Sequence, residues 1–290
     1  MAGAFGVSEA TVAARLRRLD AHNVVRVVAL TDMDRLGFRY LAIGMVSVGA
    51  RLVSQVAAEI AAIPQTIFVN LHTGRYGVTC GVLAEDRAEL GRVFGEVIPR
   101  VRGVQAVRCE LAVDVLRFDS EWGPLGAGDQ GVLPGPKIPA HAVDEQDLDI
   151  IHALQHDARS SNRSIAAALA VSEATVRARL RRMETSRLIR IRAISDLAAF
   201  GMDCNAMVGV RAANGRIAEV AEGLLGMDGI AVVVRSLGDF DFIVTILTTS
   251  RDVLLDMVLR GIQGLDGVGS TEVFEIDGIA KHLYTWARLV

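Results

Sequence analysis

The sequence predicts an α+β protein made of two copies of one unit, each a winged helix-turn-helix followed by a sheet domain of order βαββαβ. Three observations carry this. VSEATVAARLRRL at 7–19 recurs as VSEATVRARLRRM at 171–183, identical at 11 of 13 positions, and self-similarity at a fixed offset is the mark of a repeated unit. The offset of 164 then holds without a gap, setting Gly37 on Gly201, Gly74 on Gly238, Gly103-Val104 on Gly267-Val268 and Trp122 on Trp286. After each recurrence, β-branched segments alternate with alanine- and leucine-rich ones in the same order, the pattern of strands interleaved with helices.

At roughly 150 residues per domain, 290 residues leave room for about two domains. Hydrophobic residues at 51% and charged ones at 22% exclude disordered and collagen-like chains. The longest stretch free of Asp, Glu, Lys and Arg runs from Ile60 to Gly74 and contains Pro64, Asn70 and His72, so no transmembrane helix and no membrane partner are expected. The opening MAGAFGVSEA lacks a basic segment leading into an apolar one, which argues against a secretory signal and for a cytoplasmic protein. Cys80, Cys109 and Cys204 form no CxxC pair, so neither a disulfide framework nor a zinc site is indicated; all three fall in strand-like segments and are expected in the core.

In chain order, residues 1–30 read as a partial helix-turn-helix. Six residues precede the first VSEATV, whereas Val143 to Ala170 precede the second. The chain is therefore expected to begin inside its first domain, the alternative being a first domain that has lost its opening helix. Residues 38–118 read as the first sheet domain: YLAIGMVSV, RLVSQVAAEIAAI, TIFVNLHTG, YGVTCGVLA, DRAELGRVFGEVI and GVQAVRCELAVDVL. Residues 119–143 hold four of the six prolines and five glycines and read as a linker. Residues 144–194 read as a complete winged helix-turn-helix. Residues 202–290 repeat the βαββαβ order, a ferredoxin-like arrangement, with hairpins at Leu71 to Tyr76 and Ser236 to Asp241 that are expected to be tight.

Net charge is only -3, but the charges are segregated. Asp144 to Asp149 holds four acids, while Val171 to Arg192 holds seven arginines against two glutamates, the footprint of a polyanion site. Ser161 and Ser172 stand where helix N-caps belong. Val176, Leu180 and Met183 repeat at i, i+4, i+7 and point inward; Thr175, Ala178, Arg181 and Arg182 then fall on the opposite face, with Arg177 and Arg179 on its flanks. Arginine forks pair bidentately with guanine in the major groove, and threonine offers a hydroxyl and a methyl, so Thr175, Arg177, Arg181 and Arg182 are expected on base edges. Arg187, Arg190 and Arg192 are expected on phosphates. The plainer reading, a solvated basic helix face, is weakened by the two short helices before it.

The order R-x-S-x-x-x-I-A, then L-A-V-S-E-A-T-V-R-x-R-L-x-x-M-E, then L-I-R, is carried by Arg159, Ser161, Ile165-Ala166, Leu169 to Val176, Arg179-Leu180, Met183-Glu184 and Leu188 to Arg190. It resembles the helix-turn-helix of the Lrp/AsnC family of transcriptional regulators. The first copy keeps Thr11, Arg15, Arg17 and Arg18, with Ala13 in place of Arg177. The resemblance implies DNA binding by Ser172, Thr175, Arg177, Arg179, Arg181, Arg182, Arg187 and Arg190, and by the four counterparts in the first copy. It also implies an effector domain whose second-to-third-strand hairpin has the character T-G-x-Y-D. Thr73, Gly74 and Tyr76 match it in one copy, with Gly77 in place of the acid. Gly238, Phe240 and Asp241 match it in the other, with Leu237 for the threonine. An amino acid or related metabolite is thereby implied near Thr73, Gly74, Tyr76, Gly238, Asp239 and Asp241, against the plainer reading of Gly74 and Gly238 as turn glycines. Two sheet domains on one chain are expected to form a pseudo-dimer intramolecularly, and one complete helix-turn-helix per chain implies further self-association on a palindromic operator.

No catalytic residue, metal site or cofactor is indicated. His152 and His156 are spaced i, i+4 but HALQH lacks the glutamate of HExxH, and both are expected to be exposed. Gly126, Gly128 and Gly131 spell GxGxxG inside the linker with no strand before or helix after, so no dinucleotide site follows. One enzyme class stays open: siroheme decarboxylases resemble the same architecture and also occur as two related halves. Groups able to serve a tetrapyrrole would be sought at Arg235 and His72, but the retained arginine helix has no use in such an enzyme.

Overall fold

In the computed structural model, residues 6–22, 24–119, 122–123, 143–202, 204–283 and 285–287 are described. Gly126, Gly128 and Gly131 lie outside them. The first copy contributes α1 (Glu9–Ala21), β1 (Val25–Asp32), β2 (Tyr40–Val48), α2 (Val53–Ala61), β3 (Thr66–Leu71), β4 (Val78–Ala84), α3 (Arg87–Arg92), β5 (Val104–Phe118) and β6 (Trp122–Gly123). The second contributes α4 (Glu145–His156), α5 (Asn162–Ala168), α6 (Glu173–Thr185), β7 (Ile189–Asp196), β8 (Cys204–Ala212), α7 (Ile217–Gly226), β9 (Ile230–Leu237), β10 (Phe242–Thr248), α8 (Arg251–Asp256), β11 (Val268–Glu275), β12 (Gly278–His282) and β13 (Trp286–Ala287). α3 continues as a π-helical turn over Val93–Val97, and α8 does so over Met257–Ile262.

Each βαββαβ unit makes a four-stranded antiparallel sheet, β5-β2-β4-β3 in one copy and β11-β8-β10-β9 in the other. These join into one nine-stranded sheet of order β11-β8-β10-β9-β5-β2-β4-β3-β12. The joint is an exchange of strand ends. The last residues of β5 leave their own sheet and pair with β9, setting Asp114 opposite Arg235, while β12 crosses to β3 and sets Gly278 opposite Leu71. Both pairings match under the 164-residue offset, so the two halves are related by a pseudo-two-fold. The strand pattern of the sequence gives each four-stranded sheet but not the exchange: β5 is expected to end at Leu116, runs to Phe118 and serves both sheets, and β12 and β13 are additional.

A second sheet, β13-β1-β7-β6, ties the helix-turn-helix ends together; β1 and β7 run antiparallel from Val25↔Ser195 to Thr31↔Ile189. Three large apolar cores result, beside a small cluster of Val28, Leu30 and Ile194 on β1 and β7. One lies between each sheet and its own helices, the first around Val56, Ile60, Val69 and Ile98, the second around Val220, Leu224, Val244 and Ile262. The third fills the space between the sheets with Ile43, Met45, Met207, Phe240 and Phe274 and continues under the helix-turn-helix to Ile150, Leu154, Val176 and Met183. Gly209 admits the Phe240 ring here, since a Cβ at 209 would stand 2.5 Å from it.

One expectation is corrected. Cys109 is exposed although it shares the Gly44 and Cys80 face of the sheet, because β5 is the outer strand of its own four-stranded sheet, while Cys80 is buried and Cys204 half-buried. The two hairpins close on equivalent bonds, His72 N–H to the Gly77 carbonyl at 2.9 Å and Ser236 N–H to the Asp241 carbonyl at 2.8 Å, each around a four-residue turn.

Candidate nucleic-acid interface and effector hairpins

The three helices begin on the caps their sequence supplies. The Asp144 side chain accepts from Asp147 N–H at 2.8 Å and Asp147 answers to Asp144 N–H, a reciprocal box that starts α4. Ser161 starts α5 and Ser172 starts α6, where the Ser172 hydroxyl accepts from Thr175 N–H at 3.0 Å and contacts the Thr175 hydroxyl at 2.8 Å. Val176 and Met183 are buried beneath α6, and Leu180 packs against the same core. A shallow outward face then carries Ala174, Arg177, Ala178, Arg181, Arg182, Thr185 and Ser186.

The arginines of this helix divide into two sets. Arg177 and Arg181 are exposed, Arg177 holding only a loose 3.9 Å pair with Glu173 on the same helix. Arg179 is directed inward, at 2.7 Å from Asp144 and 2.8 Å from Asp147, and Arg182 is ion-paired with Asp147. Asp147 is fully buried. The guanidinium of Arg179 holds the Asp144 carboxyl below the ordinary carboxylate range. Asp147, which composition marks only as one of an acid run, is thus the carboxylate that orients two arginines of the exposed helix; its signal in the sequence is the Asp144-x-x-Asp147 cap spacing.

Arg187 follows α6 at φ 56°, with Arg187 N–H on the Glu184 carbonyl and Leu188 N–H on the Met183 carbonyl. Arg190 is half-buried and Arg192 exposed on β7. In the first copy α1 starts on Ser8, whose hydroxyl accepts from Thr11 N–H, and Arg15, Arg17 and Arg18 are exposed. α1 is tied to the second copy by Asp20 and Arg159 at 3.1 Å.

The hairpin residues are engaged internally. Thr73 donates to Asp277 at 2.7 Å, Tyr76 is buried against Phe274, and Asp241 accepts from Ala212 N–H at 2.8 Å. Gly74 sits at φ 129°, a turn conformation that favours glycine. Around Gly238 the partner is Glu110, whose buried carboxylate accepts from Asp239 N–H at 2.9 Å and Phe240 N–H at 3.1 Å. Burial raises the pKa of Glu110 above its ordinary value. The position equivalent to Glu110 in the second copy is Phe274, which touches His72, Tyr76 and Phe240. The two hairpins therefore meet around one aromatic residue but are held by different chemistry.

His72, the tetrapyrrole candidate, is buried with Nδ1 on the Glu275 carbonyl and Nε2 on Thr79, and burial lowers its pKa. Arg235 is exposed. A cavity of about 120 Å³ between the sheets is lined by Ile43, Phe68, Phe118, Met207, His282 and Trp286 among others. That is the scale of a benzene ring, not a tetrapyrrole. Trp286 Nε1 and Asn205 Oδ1 are buried without a hydrogen-bond partner. His152 is half-buried, which corrects the expectation of full exposure, because its face of α4 packs toward the core; His156 is exposed. Among the described residues there is no group of three or more His, Cys, Asp or Glu able to hold a metal, and no helix long and apolar enough to cross a membrane.

Comparison with known proteins gives the family. The AsnC-type helix-turn-helix domain model matches residues 143–184, and the Lrp/AsnC ligand binding domain model matches twice, at 41–120 and 205–276. The HTH-type transcriptional regulator FL11 of Pyrococcus horikoshii is 33% identical over 129 residues, covering 43% of this chain and 85% of its own length. Its Pyrococcus abyssi namesake is 32% identical over 130 residues, with coverage of 43% and 85%. A crystal structure of the siroheme decarboxylase NirDL superposes on 97% of this chain and 85% of its own with a TM-score of 0.64 at 14% identity, a likeness of fold alone. With both domain models matched, the ligand-binding one in each half, this chain belongs to the Lrp/AsnC family.

Proposed function

We propose that this chain is a sequence-specific DNA-binding transcriptional regulator in which α6 enters the major groove and its two sheet domains respond to an amino acid or related small metabolite. The observation that carries the reading is the exposed Arg177, Ala178 and Arg181 face of a helix that is capped, packed and preceded by two short helices, the form a major groove accepts. Arg177 and Arg181 read bases; Arg187 and Arg192 meet phosphates. Arg179 and Arg182 orient the helix through Asp147. Arg15, Arg17 and Arg18 on α1 lie on the symmetry-related side and supply backbone contacts to a second half-site.

An effector near the hairpins has to exchange its own polar groups for bonds already made by Glu110, Asp241 and Thr73. Binding there is consequently coupled to hairpin conformation, which is what a regulatory domain requires.

The test is binding of the purified chain, at two salt concentrations, to a labelled fragment of its own upstream region beside a scrambled control. Selective binding whose affinity falls steeply with salt supports the reading. Equal binding to both fragments, or none, overturns it.

A further inference from the structure

α3 and α8 cover equivalent outer faces of the two sheet domains, and their exposed rows have diverged in opposite senses. Under the 164-residue offset, Gly91 answers to Leu255 and Gly95 to Leu259. Leu255 is 39% and Leu259 56% exposed. A Cβ added at Gly91 or Gly95 meets nothing within 4 Å, so that row of the helix is bare and open, a trough in the sense that no side chain fills it. The charges on the same faces are reversed as well: Arg92 answers to Asp256, and Glu96 to Arg260. Each of these is held only by a surface pair on its own helix turn, Arg92 with Glu89 at 3.9 Å, Glu96 with Arg100 at 3.4 Å and Asp256 with Arg260 at 3.1 Å. Exposed pairs of this kind contribute little and exchange partners at small cost.

We propose that the leucine face of α8 docks on the glycine trough of α3 in a second copy of this chain, with Asp256 and Arg260 of one copy meeting the Arg92 and Glu96 side of the other. Apolar side chains at i and i+4 fill a row without side chains, and with the two helices parallel Asp256 comes to Arg92 and Arg260 to Glu96. A unit that dimerises as two identical copies presents the same outer face twice and has no such choice; a tandem chain has one face of each kind. The contact is head-to-tail, so it builds a ring or a filament according to its rotation.

Two full-length variants test this. One carries Leu255→Gln with Leu259→Gln and keeps an intact trough. The other carries Gly91→Glu with Gly95→Glu and keeps intact leucines; the exchange of glycine for glutamate on an exposed helix row favours the helix. Their masses are read by sedimentation, with far-ultraviolet circular dichroism as the check on folding. The wild type is expected to assemble beyond one chain, each variant alone to sediment at the 31.0 kDa of a single chain, and an equimolar mixture to give a species of twice that mass, because one intact leucine face then meets one intact trough. A wild type that stays at one chain, a trough variant that assembles as well as the wild type, or two folded variants that fail to combine would each overturn the proposal.

Discussion

Val28 of β1 stands directly opposite Arg192 of β7, its own counterpart in the repeat. A residue paired with its equivalent lies on the pseudo-two-fold, so the two halves meet here as the subunits of a symmetric dimer do. The exchanged ends of β5 and β12 and the Phe118–Trp286 contact, with ring centroids 4.9 Å apart, complete the joint. These contacts are expected to hold the halves together without the covalent link. A chain cut at a protease site inserted within 124–142 is expected to elute as one particle of unchanged size. Separation of the halves in native buffer would show that covalent linkage, not strand exchange, maintains the pair.

Asp147 makes two kinds of substitution on α6 distinguishable. Removing Arg179 or Arg182 takes a partner from a buried carboxylate, whereas removing Arg177 or Arg181 takes a charge from solvent. Arg182→Ala and Asp147→Ala are expected to lower stability by about 1–3 kcal/mol, less than a fully enclosed pair because Arg182 keeps half its surface in water. Arg181→Ala and Arg177→Ala are expected to leave the melting temperature unchanged, while weakening binding to the upstream fragment by about 1–3 kcal/mol if each reads a base. Thermal unfolding and DNA titration on the same four proteins check this. An Arg182→Ala chain as stable as the wild type would remove Asp147 from its orienting role.

Strand and helix periodicity, Ser172 and Ser161, and the buried row Val176, Leu180, Met183 are local signals, and local signals carry most of the fold. The pairing of Asp114 with Arg235 and of Gly278 with Leu71 is not local; nothing in a strand's alternation states that its last residues belong to another sheet. The site divides the same way. The helical wheel places Arg181 and Arg182 on one outward face, but the reach of a guanidinium lets Arg182 fold back to Asp147, a contact 35 residues away in the chain. Glu110 is legible only by setting it on Phe274 through the repeat and asking why an acid replaces a ring.

Arg187 holds a left-handed conformation at the end of α6, where glycine is the residue without steric cost. A non-glycine residue there costs about 1 kcal/mol, and on the proposed DNA-binding reading the Arg187 charge offsets that cost at a phosphate. Arg187→Gly is expected to raise stability by up to about 1 kcal/mol and to lower DNA affinity, with a salt slope reduced by about 1 for the lost phosphate contact. A variant that gains stability and binds DNA unchanged would show that Arg187 touches no phosphate.

His282 lines the cavity between the sheets, and burial holds its pKa down to about 4 from an ordinary 6.5. The folded state therefore binds a proton less readily than the unfolded chain. The stability tied to this group is present in full above pH 6.5 and is lost as the pH falls through 6.5 toward about 4. A shift of this size corresponds to about 3 kcal/mol at its limit. His72, also lowered by burial, acts in the same direction, whereas Glu110, raised by burial, gains stability as it protonates and opposes them. The position equivalent to His282 in the first copy is Phe118, so the fold accommodates a ring without a titrating nitrogen. His282→Phe is expected to flatten the stability profile between pH 6.5 and 4 while leaving the His72 contribution in place. Equilibrium unfolding in urea across that range measures it, and parallel profiles for wild type and variant would mean that His282 keeps its ordinary affinity for protons.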